Sequence, residues 1–368
     1  MKKILNFMKQ EAVLCISFLL ALLSFFFVPA SFHTLSHIDF RTLSLLLCLM
    51  IVVEGTSQLG VFRILAEKLL LKTKTTRGLA LTLCLLCFFS SMLITNDVAL
   101  ITFVPFTIVT LTLAKKRDEL IPIVVLETIA ANLGSMLTPI GNPQNLYLFS
   151  AYNMRLSSFF TAIFPYALLS FVLIIISSCF FRKDELILTK NETKETINKT
   201  HAMLYGVLFL LALLTVFRVL SDWIVLLICI CSALFLNRSI LKRVDYSLLL
   251  TFVCLFIFIG NLSEIPAVCV FLKEIILGKE VVLSVLFSQV FSNVPAAILL
   301  SGFTNNGTAL LIGTNLGGLG TLIASMASLI SFKFIAKEKV GTLKYLLLFT
   351  VLNIVFLIFN LLLWFILK

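Results

Sequence analysis

Long apolar runs alternate with short polar breaks along the whole chain, and several runs approach or exceed the roughly 20 residues that span a bilayer, among them Val13–Pro29, Leu156–Phe181 and Leu346–Leu367. Each half also carries an apolar segment, a hydrophobic hairpin with Asn at its tip, and an apolar helix interrupted by Gly and Asn. In the first half the hairpin is Leu79–Leu113 with Thr95-Asn96-Asp97 at the tip, and Ile121–Ser150 is interrupted around Asn132 and Gly141. In the second half, Val281–Phe303 turns at Ser292-Asn293-Val294, and Thr308–Phe334 is interrupted at Asn315-Leu316-Gly317-Gly318. Irregular backbone at membrane depth persists only when buried in protein or lining a wet cavity. Paired interruptions in two halves point to a transporter's binding site. The pattern predicts an all-α polytopic membrane protein with inverted-topology repeats, each with a re-entrant helical hairpin and a broken transmembrane helix.

Threading the runs through a membrane from a cytoplasmic N-terminus gives the expected organisation. Residues 1–38 form an N-terminal membrane helix, and 39–181 form the first repeat, with hairpin 79–113 and broken helix 121–150. Residues 182–200 are a polar cytoplasmic linker rich in Lys, Glu, Thr and Asn, and 201–244 form a helix pair. Residues 245–334 form the second repeat, with hairpin 281–303 and broken helix 308–334. Residues 335–368 form a C-terminal membrane helix ending outside. Arms of about 16 residues reach about 24 Å, short of a 30 Å core, so the first hairpin is expected to enter and leave on the cytoplasmic side. A weakly amphipathic piece, Ala267–Leu277, is expected at the outer face.

Two features support this threading. Asp39–Gly55 resembles Asp245–Asn261, with Cys48 matching Cys254, and the two copies start on opposite sides. The threading also leaves outside only Arg41, Arg155, Arg218, Lys273, Lys279 and Lys368 of the 29 Lys and Arg, the asymmetry of a positive cytoplasmic face. Lys2, Lys3 and Lys9 before an apolar run, followed by Val28-Pro29-Ala30, also fit a cleavable signal peptide. The threading favours retention of the segment as an anchor.

Composition narrows the class further. With 60% hydrophobic and 13% charged residues, a soluble globule is excluded. The net charge of +11 invites a nucleic-acid reading, but the basic residues sit between apolar segments without an aromatic-interleaved patch, so no nucleic-acid partner is expected. The expected surroundings are the lipid bilayer of the cell membrane. Most of the nine Cys lie inside apolar stretches, where Cys acts as a small hydrophobe. Cys84 and Cys87 form a C-x-x-C without a second pair, and His33, His37 and His201 are isolated in sequence, so no metal site and no cofactor is expected.

The candidate chemistry lies at the tips and breaks. At mid-membrane a tip leaves helix-terminal groups without intrahelical partners, which Thr95, Asn96, Ser292 and Asn293 can satisfy while also binding a substrate or ion. The N-terminus of each second arm suits an anion. Asp97 is a carboxylate within the membrane, a functional site by default, and a candidate proton carrier or cation ligand. Its counterpart in the second hairpin is Val294. Glu127 is the other candidate coupling acid, whereas Glu54 is expected to stay solvated at the inner interface. Gly134, Pro139, Gly141 and Pro143 must unwind the first broken helix, leaving a polar cradle of carbonyls with Asn132, Thr138, Asn142 and Asn145. Thr314, Asn315, Gly317, Gly318 and Thr321 do the same in the second copy, with Asn132 aligned to Asn315 and Thr138 to Thr321.

The strings ITNDVALI, ANLGSMLTPIGNPQN, FSNVPAAIL and GTNLGGLGTLIAS resemble the ion-transporter superfamily that contains citrate permeases, divalent-anion/sodium symporters, arsenite permeases and a branch of sodium/proton antiporters. The similarity covers nearly the whole chain. It implies a homodimer with a scaffold part and a moving transport part, the latter holding both hairpins and both broken helices, and an elevator-type motion. The symporters carry Ser-Asn-Thr at both tips. Thr-Asn-Asp and Ser-Asn-Val-Pro are more similar to the arsenite-permease and antiporter branch.

The leading expectation is therefore a secondary active transporter, or permease, for a small anion such as an organic carboxylate or inorganic oxyanion, with H+ or Na+ as coupling ion. A sodium/proton antiporter and an arsenite efflux permease are alternatives, and a passive channel is a remote one. The chain has no H-E-x-x-H motif and no paired helical aspartates, so it is not expected to be an enzyme.

Overall fold

A computed structural model describes residues 11–29, 32–70, 73–185, 198–338 and 341–368. Lys2, Lys3, Lys9, Ala30, Lys72, Lys339 and residues 186–197 of the expected linker lie outside the described residues. The described chain is helical almost throughout, and seven of its helices are long and apolar enough to cross a membrane. It is an all-α polytopic membrane protein.

Helix α1 (Ala12–Ser24) leads through a 3-10 turn (Phe32–His37) to α2 (Phe40–Gln58) and α3 (Val61–Leu70). The first hairpin is α4 (Thr76–Ile94) and α5 (Asn96–Leu113). It is followed by α6 (Leu120–Ser135), a break, and α7 (Pro143–Ala151). Next come α8 (Leu156–Cys179), α9 (Lys199–Val216), α10 (Asp222–Leu236), the short α11 (Ser239–Arg243), α12 (Tyr246–Ser263) and α13 (Pro266–Ile276). The second hairpin is α14 (Glu280–Phe291) and α15 (Asn293–Ser301). Then follow α16 (Gly307–Gly317), a break with a 3-10 turn (Leu322–Ala324), α17 (Met326–Glu338) and α18 (Thr342–Leu367).

Polar side chains at the boundaries explain several helix starts. Asp39 accepts from the Thr42 amide at 3.0 Å, and Asp245 accepts from the Leu248 amide at 3.0 Å. Thr75, Asn142 and Asn306 cap α4, α7 and α16 in the same way. Each cap satisfies an amide that has no intrahelical partner, a service worth about 1 kcal/mol.

The structure departs from the sequence reading in two places. The first arm of the first hairpin has 19 residues, longer than expected, because the Thr75 cap starts α4 before Leu79, and the second has 18 and ends at the expected Leu113. The second hairpin, with arms of 12 and 9 residues, runs close to the expected 281–303. Arg63 and Lys68 belong to helix α3, because apolar residues recur between the charges at helical spacing.

Both arms of the first hairpin are tied at their base to the end of α8. The Thr76 amide donates to the Asp184 carbonyl at 3.0 Å, and Lys116 Nζ lies 2.6 Å from the Asp184 carboxylate. Packing divides the apolar residues into two clusters. The larger gathers both hairpins and both broken helices with α8, α12 and α18. The smaller joins one face of α2 to α9, α10 and α11 through Cys48, Ile51, Val52, Tyr205, Val225 and Cys229. The site lies where α2 meets the larger cluster.

Candidate functional site

The two hairpin tips share one unusual backbone conformation. Thr95 has φ 69° and ψ 154°, and Ser292 has φ 73° and ψ 156°. This region is essentially reserved for Gly and costs a residue with a side chain about 1–3 kcal/mol, so it persists only where the surroundings enforce it. Here the enforcing contacts match in pairs. Thr138 Oγ1 donates to the Met92 carbonyl at 2.5 Å, and Thr321 Oγ1 donates to the Gln289 carbonyl at 3.2 Å, each three residues before a tip. The Asn96 amide donates to the Gly141 carbonyl at 3.2 Å, and Ser292 Oγ donates to the Ala324 carbonyl at 3.4 Å.

The asparagines of the broken helices reach across to the opposite half. Asn132 Oδ1 accepts from Ser325 Oγ at 3.0 Å, and its Nδ2 donates to Ser328 Oγ at 3.3 Å. In mirror fashion, Asn315 Oδ1 accepts from Asn142 Nδ2 at 3.3 Å, and its Nδ2 donates to Asn145 Oδ1 at 2.6 Å. The alignment that pairs Asn132 with Asn315 also pairs Asn142 with Ser325 and Asn145 with Ser328. Each buried asparagine thus bonds the counterparts of the other's partners. Asn96 Nδ2 also donates to Asn132 Oδ1 at 3.0 Å, tying the first tip into the network. Asn145 Nδ2 closes the first break by donating to the Met136 and Thr138 carbonyls, both at 3.1 Å.

A cavity of about 200 Å³ opens beside the first tip. Thr95, Asp97 and Val98 from the tip line it, with Asn142, Pro143 and Leu146 from the start of α7. The N-termini of α5 and α7 therefore converge on one space, each contributing a partial positive charge. Asp97 Oδ1 is buried there with no hydrogen-bond partner among the described residues. Glu54, Arg243 and Asp245 complete the charged lining. Glu54 accepts from Gln58 Nε2 at 2.9 Å and lies 3.8 Å from Arg243. It is therefore a wall of the cavity with a side chain only 24% exposed, where the sequence reading had it solvated.

A second cavity, about 350 Å³, lies past the other end of α7 and is lined by Tyr147, Tyr152, Ser301 and Thr304 among others. Asn142, Pro143 and Leu146 line the first cavity and Tyr147, Ala151 and Tyr152 the second, so α7 is the partition between them.

Other sequence candidates sit elsewhere. Glu127 is fully buried and does not line the cavity. Its Oε1 accepts from Thr107 Oγ1 at 2.6 Å, and its Oε2 has no hydrogen-bond partner among the described residues. Thr314 turns its hydroxyl to the Leu310 carbonyl of its own helix. Asn293 is buried at the second tip beside Gly318, and Gly317 packs against Ser288. The second break begins at Gly318, with Asn315 and Gly317 still helical, because those two residues pack against neighbours and need no unwinding.

Gln289, Ser325, Ser328, Arg243 and Asp245 were missed by the sequence reading. Gln289 was legible as a lone amide in an apolar arm three residues before the tip, and in the fold it donates to the Gly317 and Leu319 carbonyls. The histidines need a correction as well. His33 and His37 are not isolated, because one helical turn and the end of α12 bring both against Glu264.

A sequence model of the citrate transporter family matches residues 6–306. An uncharacterized transporter of Methanocaldococcus jannaschii is 34% identical over 322 residues, covering 86% of each chain. The inner membrane protein YbiR of Escherichia coli is 32% identical over 321 residues, covering 84% of each. A silicon efflux transporter of rice, Oryza sativa, is 34% identical over 143 residues, which is 36% of this chain and 28% of its own.

Proposed function

The chain belongs to the citrate transporter family and is a membrane transporter, and we propose that it is a secondary active permease for a small oxygen-rich anion, coupled to H+ or Na+. The observation that carries this reading is the unpartnered, buried Oδ1 of Asp97 in a cavity where two helix N-termini converge. An unpaired carboxylate oxygen in a water-poor site calls for a proton or a cation. The N-termini and the Asn142 region suit an anionic oxygen. A site that offers both can require that both travel together. The family's description names citrate, which fits a carboxylate substrate.

Inverted repeats and an elevator motion extend the proposal. The matched caps at Asp39 and Asp245, the matched tips and the reciprocal asparagine bonds support a pseudo-twofold relation between the halves. Inverted repeats build a site that can open to either side in turn, and α7 lies between two cavities at opposite ends. The hairpins and broken helices would move together against the frame of α2, α9 and α10, in a homodimer in the cell membrane with the N-terminus cytoplasmic and the C-terminus outside.

A second reading, sodium/proton exchange, is favoured by the charge of the cavity, where three carboxylates face one guanidinium. Proteoliposomes with a pH dye inside separate the two. Proton movement provoked by Na+ alone supports exchange, and movement only with a particular carboxylate or oxyanion supports the anion permease and names its substrate class. Asp97→Asn abolishes uphill accumulation under either reading, and unchanged accumulation would remove Asp97 from the coupling.

A further inference from the structure

The described residues hold a cluster of metal-competent side chains outside the cavity at Asp97. His33 and His37 lie four residues apart on the 3-10 turn Phe32–His37, with ring centroids 5.2 Å apart. Across from them, the junction of α12 and α13 presents Glu264. His33 Nδ1 is 3.1 Å and His37 Nε2 is 3.0 Å from the same oxygen, Glu264 Oε1, and one ligand atom from each of the three lies within 4.8 Å of the others.

We propose that His33, His37 and Glu264 form a binding site for a divalent transition-metal ion of the Zn2+ class, which clamps the segment before α2 to the end of α12. Three considerations converge on this assignment. Two imidazoles and one carboxylate form a donor set of catalytic or regulatory zinc sites, with a fourth position left for water. In tetrahedral coordination at about 2.0–2.2 Å, neighbouring ligand atoms stand about 3.3 Å apart. The two nitrogens already approach Oε1 to near that separation, so small side-chain rotations admit an ion. Imidazole nitrogens also select zinc-like ions over Mg2+ and Ca2+, which prefer all-oxygen sites.

The backbone prepares the place for His37. Gly260 on α12 packs directly beneath the His37 ring, and a Cβ there would collide with Cβ, Cγ and Cδ2 of that residue. Nearby, Asn261 Nδ2 donates to Ser24 Oγ at 2.8 Å, fixing α12 against the end of α1. The Glu264 side of the cluster is thereby anchored before any ion binds. His37 also borders the cavity of Tyr147, Tyr152, Ser301 and Thr304. An ion here would pin the two segments at that cavity's edge, whatever the transported solute is.

The test is calorimetric titration of Zn2+ into the full chain purified with a tag free of histidine. Its thiols are alkylated beforehand, so that none of the nine cysteines competes. One ion per chain, lost or weakened by at least about 100-fold (the upper end of what removing an outer-shell partner costs) in His33→Gln and in Glu264→Gln, is the expected result. His33 is 71% exposed and Glu264 37% exposed, so neither substitution disturbs the core. Co2+ should report the same site by a tetrahedral visible band that disappears in the same variants. Gly260→Ala should weaken binding without removing a ligand. Zn2+ binding of equal strength in His33→Gln and Glu264→Gln, or no binding by the native chain, overturns the proposal.

Discussion

Gly134→Ala tests how tightly each hairpin is bound to its broken helix. Gly134 lies near the end of α6, and a Cβ there would strike the backbone carbonyl of Phe88 in α4, with the carbonyl carbon and Cα also inside 3 Å. No rotamer change relieves a clash with backbone, so α4 and α6 must separate. Overpacking of this kind costs about 1–3 kcal/mol, and a backbone obstacle puts it near the upper end. Replacing Gly by Ala in a helix returns at most about 1 kcal/mol, which leaves a net loss of about 2 kcal/mol. Gly206→Ala is the matched control, because nothing lies within 4 Å of its Cβ direction and α9 gains propensity. The two substitutions should therefore differ by about 3 kcal/mol, with opposite signs. Reversible unfolding in mixed micelles, followed by circular dichroism, measures both. Gly134→Ala within 0.5 kcal/mol of the native chain, roughly the scatter of ordinary surface changes, would refute the reasoning. So would an equal loss in Gly206→Ala.

Thr95→Gly and Ser292→Gly should each stabilise the fold by about 1 kcal/mol, since Gly relieves backbone strain but loses chain entropy on folding. The same variants should transport more slowly if the strained tips are functional, and a loss of stability in both would show that the Thr and Ser contacts outweigh the strain. Glu127→Gln preserves an acceptor for Thr107 Oγ1 and touches no cavity wall, so uphill accumulation in proteoliposomes should survive it. Abolition equal to that in Asp97→Asn would return Glu127 to the coupling machinery.

The chain announces its breaks better than its pairings. Pro139, Gly141 and Pro143 cannot continue a helix, so the unwinding between α6 and α7 is legible from residue type alone. The second break begins later than residue type suggests, because Asn315 and Gly317 look like breakers although they serve packing and cross-bonding within an intact helix. Asp97 stands out because a carboxylate amid apolar residues has few structural uses. Arg243 and Asp245 do not stand out, since charges at a helix boundary look the same whether they face water or wall a cavity. His33 and Glu264 are separated by most of the chain, and their meeting depends on how α12 packs beside α1, which no local pattern encodes.

The symmetry of the framework and the asymmetry of the chemistry need to be held together. Both tips have the same backbone angles, both are latched by a threonine from the adjoining break, and both broken helices exchange asparagine bonds with the opposite half. A framework built this way holds both tips in one conformation, with the extra Asn96–Asn132 bond at the first. Yet only the first tip presents an acid, because Asp97 is matched by Val294, and only beside the first tip do Glu54, Arg243 and Asp245 gather. Two equivalent ion sites would leave the halves chemically redundant. With one acid, the second half can instead act as a rigid abutment whose Asn315 holds Asn142 and Asn145 in place beside the cavity. Loss of Asn315 should therefore disturb the cavity on the opposite half more than its own tip, because its bonds end there.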